Sequence, residues 1–523
     1  MTSAELPVHA VDAAQPEQVN KWAVAVAVAT GALLEVVDSS IVNVALAEIQ
    51  SAVGATLSQV SWVVSSYAIA NVIVLPLSAW LGQRFGKKRY FVFSMIGFTL
   101  ASMLCGVATS LPMLVVARVL QGLAGGGLLA KAQAILFETF PREEQAMAQG
   151  LFGAIAIAGP VVGPTLGGFI TTHSSWRWIF FVNVPVGIAA VLLSMSALPR
   201  DKPRGPSERI DWFAIGLLAL GLGCLQTFLE DGNSEGWFDS RLVQVLALLT
   251  VGALSAFVLR ELRSEHPVVD LHVLRYRSLW AGSLLSIVVG VALYGALFAV
   301  PIFAQTIMRY TSEQTGLMLL PGALTSAFTM VLASRLVRSF DPRLVLATGG
   351  VTLAIALQWI GRLTVTSSEA HLYWPLMLRA LGSGLMFLPL NLAAIGPIPR
   401  SEVAKAAGFF NLTRQLGGSM GVALLSTVLD RRMAFHRSVL VEHLVDGDPR
   451  TMERVSQLTR LFESQGANPE LAHTRALALL DGMVMRQASV LSFNDTFFVT
   501  SVLVLVILPL VLLLGKPTAA SPH

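Results

Sequence analysis

Charge is scarce in this chain: Lys, Arg, Asp and Glu make up only 13% of its 523 residues, about half the share of an ordinary soluble domain. That scarcity excludes a water-soluble fold, because 54% of the residues are hydrophobic and a polar surface of normal extent cannot be built from the remainder. Cysteine is nearly absent. Cys105 and Cys224 both fall in apolar runs, where two free buried thiols are expected rather than a disulfide framework. No GxxxxGK[ST] phosphate loop and no HExxH or CxxC pattern occurs, so nucleotide, metal and redox chemistry have no sequence support and no cofactor is implied. The net charge of +4 is small and its basic residues lie in short separate blocks, which leaves no basic face for nucleic acid. The first 20 residues also lack the basic start and small-residue cleavage site of a signal peptide, so the first apolar helix is expected to stay in the mature protein.

What the chain has in quantity is apolar length. Windows of about 20 apolar residues match a hydrocarbon core of roughly 30 Å. They recur fourteen times, near residues 22–46, 59–81, 90–109, 112–137, 147–171, 177–198, 212–229, 241–260, 279–305, 316–337, 343–363, 373–396, 405–429 and 494–515. The expected fold is an all-α integral membrane protein of fourteen transmembrane helices. Placing both termini in the cytoplasm puts 18 Lys and Arg residues in the inner loops and only Arg177, Arg241, Arg309 and Arg362 in the short outer ones, the asymmetry that sets orientation. The segment 431–492 stands apart, with eight arginines and a position outside by parity. Met452, Val455, Leu458, Leu461 and Phe462 recur there at helical spacing, and Asn468-Pro469-Glu470 has the form of a helix cap followed by proline. Two amphipathic helices outside the membrane are expected, either a spacer folded on the protein's own surface or a docking surface.

The fourth window reads ARVLQGLAGGG (Ala117 to Gly127) and the twelfth LRALGSGL (Leu378 to Leu385). An arginine followed by glycines at matching depth, Arg118 and Arg379, predicts two related six-helix halves, an arrangement that puts a site near the midplane between them. The implied organisation is an N-terminal tail (1–20), a six-helix bundle (21–200), an inserted helix pair (201–265), a second six-helix bundle (266–515, including 431–492) and a C-terminal tail (516–523).

Charged residues inside these windows are candidates for function, since a charge at the membrane centre costs at least about 2.5 kcal/mol. Glu35 and Asp38, in LLEVVDSSIVNV, lie three residues apart on one helix face. Two acids so close in a poorly hydrated cavity are not expected both to ionise readily. Arg118 keeps its proton and can hold a neighbouring carboxylate charged, or it can snorkel to the outer surface. For Lys131, nearer the inner end of the same window, snorkelling is the expectation. Arg414 lies too deep to snorkel and is expected in a cavity or beside a polar partner. Asn43, Gln121, Gln305, Asn391 and Asn411 can bond substrate or neighbouring helices. In GPVVGPTLGG, Pro160 and Pro164 bend a helix while Gly159, Gly163, Gly167 and Gly168 allow close packing: a hinge and seal between the two sides, or tight packing alone. The 16 Met and 26 Phe suit an adaptable apolar pocket and equally suit lipid contact.

Together these motifs resemble the major facilitator superfamily, and within it the fourteen-helix drug:proton antiporter branch with its EmrB-type efflux pumps. VVDSSIVNVAL (Val36 to Leu46) is similar to that branch's first-helix signature, ARVLQG (Ala117 to Gly122) to its fourth-helix motif, and Gly159 to Gly168 to its antiporter motif. WRWIFFVNVPVG (Trp176 to Gly187), HPVVDLHVLRYRS (His266 to Ser278) and NLTRQLGGSMG (Asn411 to Gly421) extend the resemblance over nearly the whole chain. In the loop motif AWLGQRFGKK, with Gln83, Arg84, Gly86 and Lys87, glutamine stands where the superfamily usually has aspartate; Glu35 and Lys131 are additions to the pattern. The resemblance implies proton-driven export of small hydrophobic drugs or toxic compounds across a bacterial inner membrane, with Asp38 carrying the coupling proton, Arg118 modulating it, and Glu35 attracting cationic substrate or sharing the proton. It also implies a periplasmic adaptor (EmrA-like) and an outer-membrane channel as partners. A dedicated exporter of one metabolite or siderophore is the alternative within transport. A non-transporting sensor or scaffold fits less well, because it needs neither the intramembrane charges nor the antiporter glycines.

Overall fold

The computed structural model describes residues 20–514 apart from 202–210, 266, 365–366, 369 and 445–447. The expected tails beyond Asn20 and Leu514, Lys202, Arg204, Arg209 and His266 lie outside the described residues. All regular structure described is helical. The chain begins with α1 (Lys21–Val53), α2 (Leu57–Phe85), α3 (Lys87–Gly106), α4 (Leu111–Gly125), α5 (Leu128–Thr139), α6 (Gln145–His173), α7 (Trp178–Phe181) and α8 (Asn183–Ala197). It continues through α9 (Trp212–Asp231) and α10 (Arg241–Arg263) to α11 (Arg277–Thr306), α12 (Ser312–Ser339), α13 (Pro342–Ile360), α14 (Ala370–Ile395), α15 (Val403–Glu442), α16 (Pro449–Ser464) and α17 (Pro469–Ile507).

Twelve helical segments among the described residues are long and apolar enough to cross a membrane, two of them joining α4 with α5 and α7 with α8. Each of the fourteen sequence windows centres on helical residues; the two beyond the twelve fall on α11 and α15. In α15 the apolar stretch is diluted by Asn411, Arg414 and the polar residues that follow Leu429.

Helix starts are written locally. Thr56 accepts from Gln59 N while Gln59 accepts in return from the Thr56 amide, and Thr311 and Gln314 repeat this box at α12, satisfying amides that the first turn leaves open. The recurrence has a counterpart in packing. In the first part of the chain α1 packs on α6 and α8, α3 on α4 and α8, and α2 on α4; in the last part α11 packs on α15 and α17, α13 on α14 and α17, and α12 on α14. The two sets meet through α6 with α12 and α2 with α15, the fifth helix of one set on the second of the other. α9 and α10 pack on each other, and α9 rests on both α2 and α15.

Glycines set the closest of these contacts. A Cβ on Gly163 of α6 would overlap the Ser40 hydroxyl and lie 3.0 Å from the Ile41 amide nitrogen, and one on Gly167 would lie 2.9 Å from the Ile41 carbonyl oxygen. Gly417 and Gly421 of α15 do the same on α11, where a Cβ would lie 2.6 Å from Ile287 Cα and 2.7 Å from Val291 Cα. The antiporter-like glycines therefore seat α6 on the stretch of α1 just beyond Asp38.

Segment 431–492 differs from expectation in one respect. α16 forms where the apolar spacing placed it, capped by Asp448 and burying Leu458. Asn468 caps the next helix as expected, accepting from Leu471 N, but that helix is not separate: α17 runs from Pro469 through the final apolar run. The physical reason is that no proline follows Pro469 until Pro509, so nothing breaks the helix at the polar-to-apolar boundary. α15 likewise extends to Glu442, and Arg437 Nη2 meets Asp481 Oδ1 across the pair at 3.0 Å. Nearer the apolar ends, Arg432 and His436 both engage Asp495.

Candidate functional site

Asp38 sits midway along α1, fully buried, and its side-chain partners all come from other helices. Its Oδ2 accepts from Arg118 Nη1 of α4 at 2.6 Å. Its Oδ1 accepts from Gln121 Nε2 at 2.9 Å and from Asn183 Nδ2 of α8 at 2.8 Å. Arg118 also donates from Nη1 to Gln121 Oε1 at 2.7 Å and from Nε to the Val63 carbonyl of α2 at 2.9 Å, and its Cζ lies 4.1 Å from the Tyr67 ring centre. Arg118 and Gln121 are one helical turn apart, so one face of α4 presents both to the same carboxylate. Arg118 is fully buried: it serves Asp38 and does not snorkel. Taking two charges into a low-dielectric site is favourable only when their remaining bonds are made; here both oxygens of Asp38 are occupied, while Nη2 of Arg118 is buried without a hydrogen-bond partner.

Glu35, one turn away, belongs to a different cluster. Its Oε1 accepts from Asn71 Nδ2 at 2.8 Å and its Oε2 from the Leu129 amide at 2.6 Å. Leu129 is the second residue of α5, which exists as a separate helix because the glycine run breaks the fourth window: Gly127 has φ +75°, a conformation open to glycine. The break exposes the amides of a helix start inside the membrane window, and Glu35 supplies the anion they favour. No hydrogen bond joins Glu35 to Asp38 among the described residues, so the expected sharing of one environment is not what the fold builds. Lys131 also departs from expectation. It is buried, donates to Ser94 Oγ at 2.8 Å and lies 3.8 Å from the Tyr90 ring centre.

The polar residues expected along a cavity divide three ways. Gln121 serves the Asp38 cluster. Asn391 of α14 and Asn411 of α15 meet at Gln133 of α5, which donates to Asn391 Oδ1 at 2.5 Å and accepts from Asn411 Nδ2 at 2.6 Å; this buried bridge links the first helical set to the second. Asn43 is exposed on α1 and Gln305 half-buried near the end of α11, and neither borders the central cavity. Arg414 does. It bonds Asn411 Oδ1 and lies 5.0 Å from the Phe387 ring centre. The cavity, a narrow space of about 20 Å³, lies between α6, α11, α12, α14 and α15, with Pro160 on one wall and Arg379, Phe387 and Arg414 on another.

At the loop between α2 and α3, Gln83 is exposed, and Lys87 pairs with Glu138 of α5 at 2.5 Å. Asp201 accepts from the Lys88 amide at 3.0 Å and the Arg89 amide at 3.1 Å, capping α3 from beyond α8. Sequence reasoning missed Gln133, Asn71 and Asp201. It quoted Asn183 within a motif without assigning it a partner, and used Arg379 only as a marker of the repeat. Polar residues in apolar runs were the available signal, but partners 36 to 278 residues away in sequence leave no local trace.

A bundle of apolar helices with a buried acid–arginine pair and a cavity between two packed sets defines a multi-pass membrane transporter rather than an enzyme. Residues 28–422 match the profile of the Major Facilitator Superfamily, and the chain belongs to that family. It is 30% identical to the multidrug export protein EmrB of Escherichia coli strain K12 over 497 residues, 95% of this chain and 96% of that protein. It is 30% identical to the fatty acid resistance protein FarB of Neisseria gonorrhoeae over 484 residues, 92% and 94% of the two chains. The crystal structure of a double-Trp mutant of XylE shares the fold with a TM-score of 0.62 at 11% identity, over 95% of this chain and 96% of that one. The chain is accordingly a multi-pass protein of the inner membrane.

Proposed function

We propose that this protein is a proton-coupled antiporter that exports hydrophobic toxic compounds across the bacterial inner membrane. The similarity to a multidrug export protein over 95% of the chain supports the export role. The observation that carries the coupling is the buried Asp38–Arg118 pair, which with its partners spans four helices, α1, α2, α4 and α8. Protonating Asp38 removes the charge that Arg118 faces, and Arg118 then has reason to shift toward Gln121 and the Val63 carbonyl. Because α6 is seated by Gly163 and Gly167 on the turn of α1 that follows Asp38, a shift at the pair reaches the helix that walls the cavity at Pro160. Glu35 in this scheme steadies the break in the fourth window through the Leu129 amide.

The same proposal takes α11 and α15 as spans, giving fourteen with both termini in the cytoplasm, two six-helix bundles (21–200 and 266–515) and the inserted pair 201–265. The outer ends of α15 and α17 with α16 then stand in the periplasm as the face for an EmrA-like adaptor, which leads to an outer-membrane channel. Proteoliposomes with an imposed pH gradient and a series of hydrophobic compounds provide the test: substrate-dependent proton flux is expected, and none with any compound would overturn the proposal.

A further inference from the structure

Lys131 is a buried charge that the Asp38–Arg118 scheme does not use. It is the fourth residue of α5, and its side chain runs back along the helix, with Cε 3.7 Å from the place a Cβ on Gly127 would take. A cation there faces the positive end of the helix dipole. An ammonium has three donors, yet that of Lys131 meets one acceptor among the described residues, Ser94 Oγ at 2.8 Å, and the face of Tyr90 at 3.8 Å from the ring centre. The nearby acids are engaged elsewhere: Glu138 pairs with Lys87 at 2.5 Å, and Glu35 accepts from Asn71 and the Leu129 amide. One side of Lys131 is open. With Tyr90 it borders a narrow cleft of about 30 Å³ between α2, α3, α5 and α15, whose lining extends to the Lys87–Glu138 pair. Glu138 lies seven residues further along α5, about 10 Å of helix, and Lys87 beside it is exposed at the loop between α2 and α3. A space of that size holds one or two waters.

Resting on the transport role and topology proposed above, we infer that Lys131 is a proton-exchanging residue of the transport cycle, reaching the cytoplasmic side through this cleft and answering to the charge of Glu35. A lysine can give up its proton inside a protein, which an arginine cannot. Lys131 and Glu35 both meet the opening turn of α5, Glu35 through the Leu129 amide at 2.6 Å, so the carboxylate is the anion that offsets the ammonium. When Glu35 is neutralised, one N–H bond of the ammonium breaks, a cleft water takes the proton as hydronium, and the amine is left neutral; Glu138 or bulk water receives the proton next. The remaining helices packed on α5 bring no other acid: α2 presents Ser78 to the start of α5, α6 presents Gln145 and Gln149, and α15 carries Lys405, bonded to Asp270, and Arg414, bonded to Asn411. A lysine that only held helices together would use Ser94 and Tyr90 and have no need of a passage to the surface.

The chain has only seven lysines, so nitrogen-15 at their Nζ atoms reports each charge state by NMR in the full-length protein purified in detergent. One signal, absent from Lys131→Met, is expected to lose its proton over about pH 6 to 9, a range in which an exposed lysine, at about 10.4, stays charged. Glu35→Gln should move that midpoint down by at least about one pH unit, the anion beside the ammonium being gone. The second readout uses everted membrane vesicles, whose outer surface is the cytoplasmic one, with ethidium as the probe and the pH difference across the membrane held constant. Export by the wild type should fall as the external pH drops below the Lys131 midpoint, whereas Lys131→Arg, charged at every pH, should flatten that profile. A Lys131 signal that stays charged to about pH 9, or a wild-type pH profile in Lys131→Arg, overturns the inference. If Lys131→Met does not fold, Lys131→Arg identifies the signal equally well. The two readouts separate this inference from the transport role: an untitrated Lys131 in a protein that exports ethidium or another hydrophobic compound leaves transport standing and sinks the proton site, whereas a titrating Lys131 in a protein that moves no compound sinks the transport role while the proton site stands.

Discussion

Replacing Asp38 by asparagine is the substitution with the clearest worked consequence. The new side chain's oxygen can keep the two bonds that Oδ1 accepts from Gln121 at 2.9 Å and Asn183 at 2.8 Å. Its amide nitrogen then faces Arg118 Nη1, donor against donor, where an oxygen had accepted at 2.6 Å. Arg118 remains fully buried and charged. Breaking a buried pair from one side costs about 3–5 kcal/mol, because the surviving charge is left unmatched. The double variant Asp38→Asn/Arg118→Gln removes that charge as well and should melt higher than the single variant, a coupling between contacting residues that a double-mutant cycle reads directly. Neither variant retains the carboxylate that binds and releases a proton, so neither should give substrate-induced proton release when purified protein is titrated over about three pH units around neutrality. Stability and coupling are thereby separated: the double variant recovers the first and not the second. Proton release from Asp38→Asn equal to that of the wild type would place the coupling carboxylate elsewhere, and an unchanged melting temperature would show that the pair is not held as a charged pair.

Gly163→Leu should lower the melting temperature by an amount matching an overpacking cost of about 1–3 kcal/mol, and should give a folded protein with little efflux or with a proton leak; wild-type transport and coupling in that variant would reduce the motif to packing. Asp270 bonds Lys405 Nζ at 2.8 Å and ties the loop before α11 to the start of α15. Partial burial works against its ionisation, but the Lys405 ammonium and the His272 amide outweigh it and hold its carboxyl below the usual range. A depressed acid contributes stability that is present above its unfolded value of about 3.9 and is lost as pH falls through the folded one. Asp270→Asn should therefore lower the melting temperature at neutral pH and converge on the wild type below about pH 3 to 4, as thermal melts across pH would record. Finally, Arg437 and Asp481 lie against each other, so excising Val439 to Leu480 and rejoining the cut ends with a short flexible linker should leave the apolar helices folded while abolishing pull-down of a periplasmic adaptor; undiminished adaptor capture would refute the docking role.

Membrane helices are legible because the bilayer demands length. Apolar windows of about 20 residues placed helix centres correctly even where the local path is broken, as at Gly126 and Gly127. The paired charges were legible in part, for the same cost argument that marks an intramembrane acid as functional marked Asp38, Glu35, Arg118 and Arg414. The family resemblance set Arg118 beside Asp38, where the fold places it; that Glu35 belongs to a different cluster was not legible. Helical spacing put Glu35 and Asp38 on one face, but three residues amount to an angle of about 60°, enough to send one acid to α4 and α8 and the other to α2 and the start of α5. Lys131 illustrates the same limit: position along a helix says how far an ammonium must reach for water, and nothing in sequence says that Ser94 and Tyr90 stand nearer.

The glycine run after Arg118 shows how a break in a rule carries information that the rule cannot. Read as a packing motif, GLAGGG predicts close helix contact, and Gly122 does meet the backbone of Tyr67, where a Cβ would lie 2.6 Å from its carbonyl oxygen. Gly127, at φ +75°, does something else: it restarts the helix and so creates a second set of unpaired amides within the hydrophobic window, a costly feature where water is absent. Its cost is offset by Glu35, whose Oε2 accepts from the Leu129 amide at 2.6 Å. Glu35 and the interrupted helix therefore explain each other, and Asp38 is left free of that duty to accept from Arg118, Gln121 and Asn183. The second half has no such interruption in α14 and no acid on α11, and its arginine, Arg379, is buried with no ion pair among the described residues.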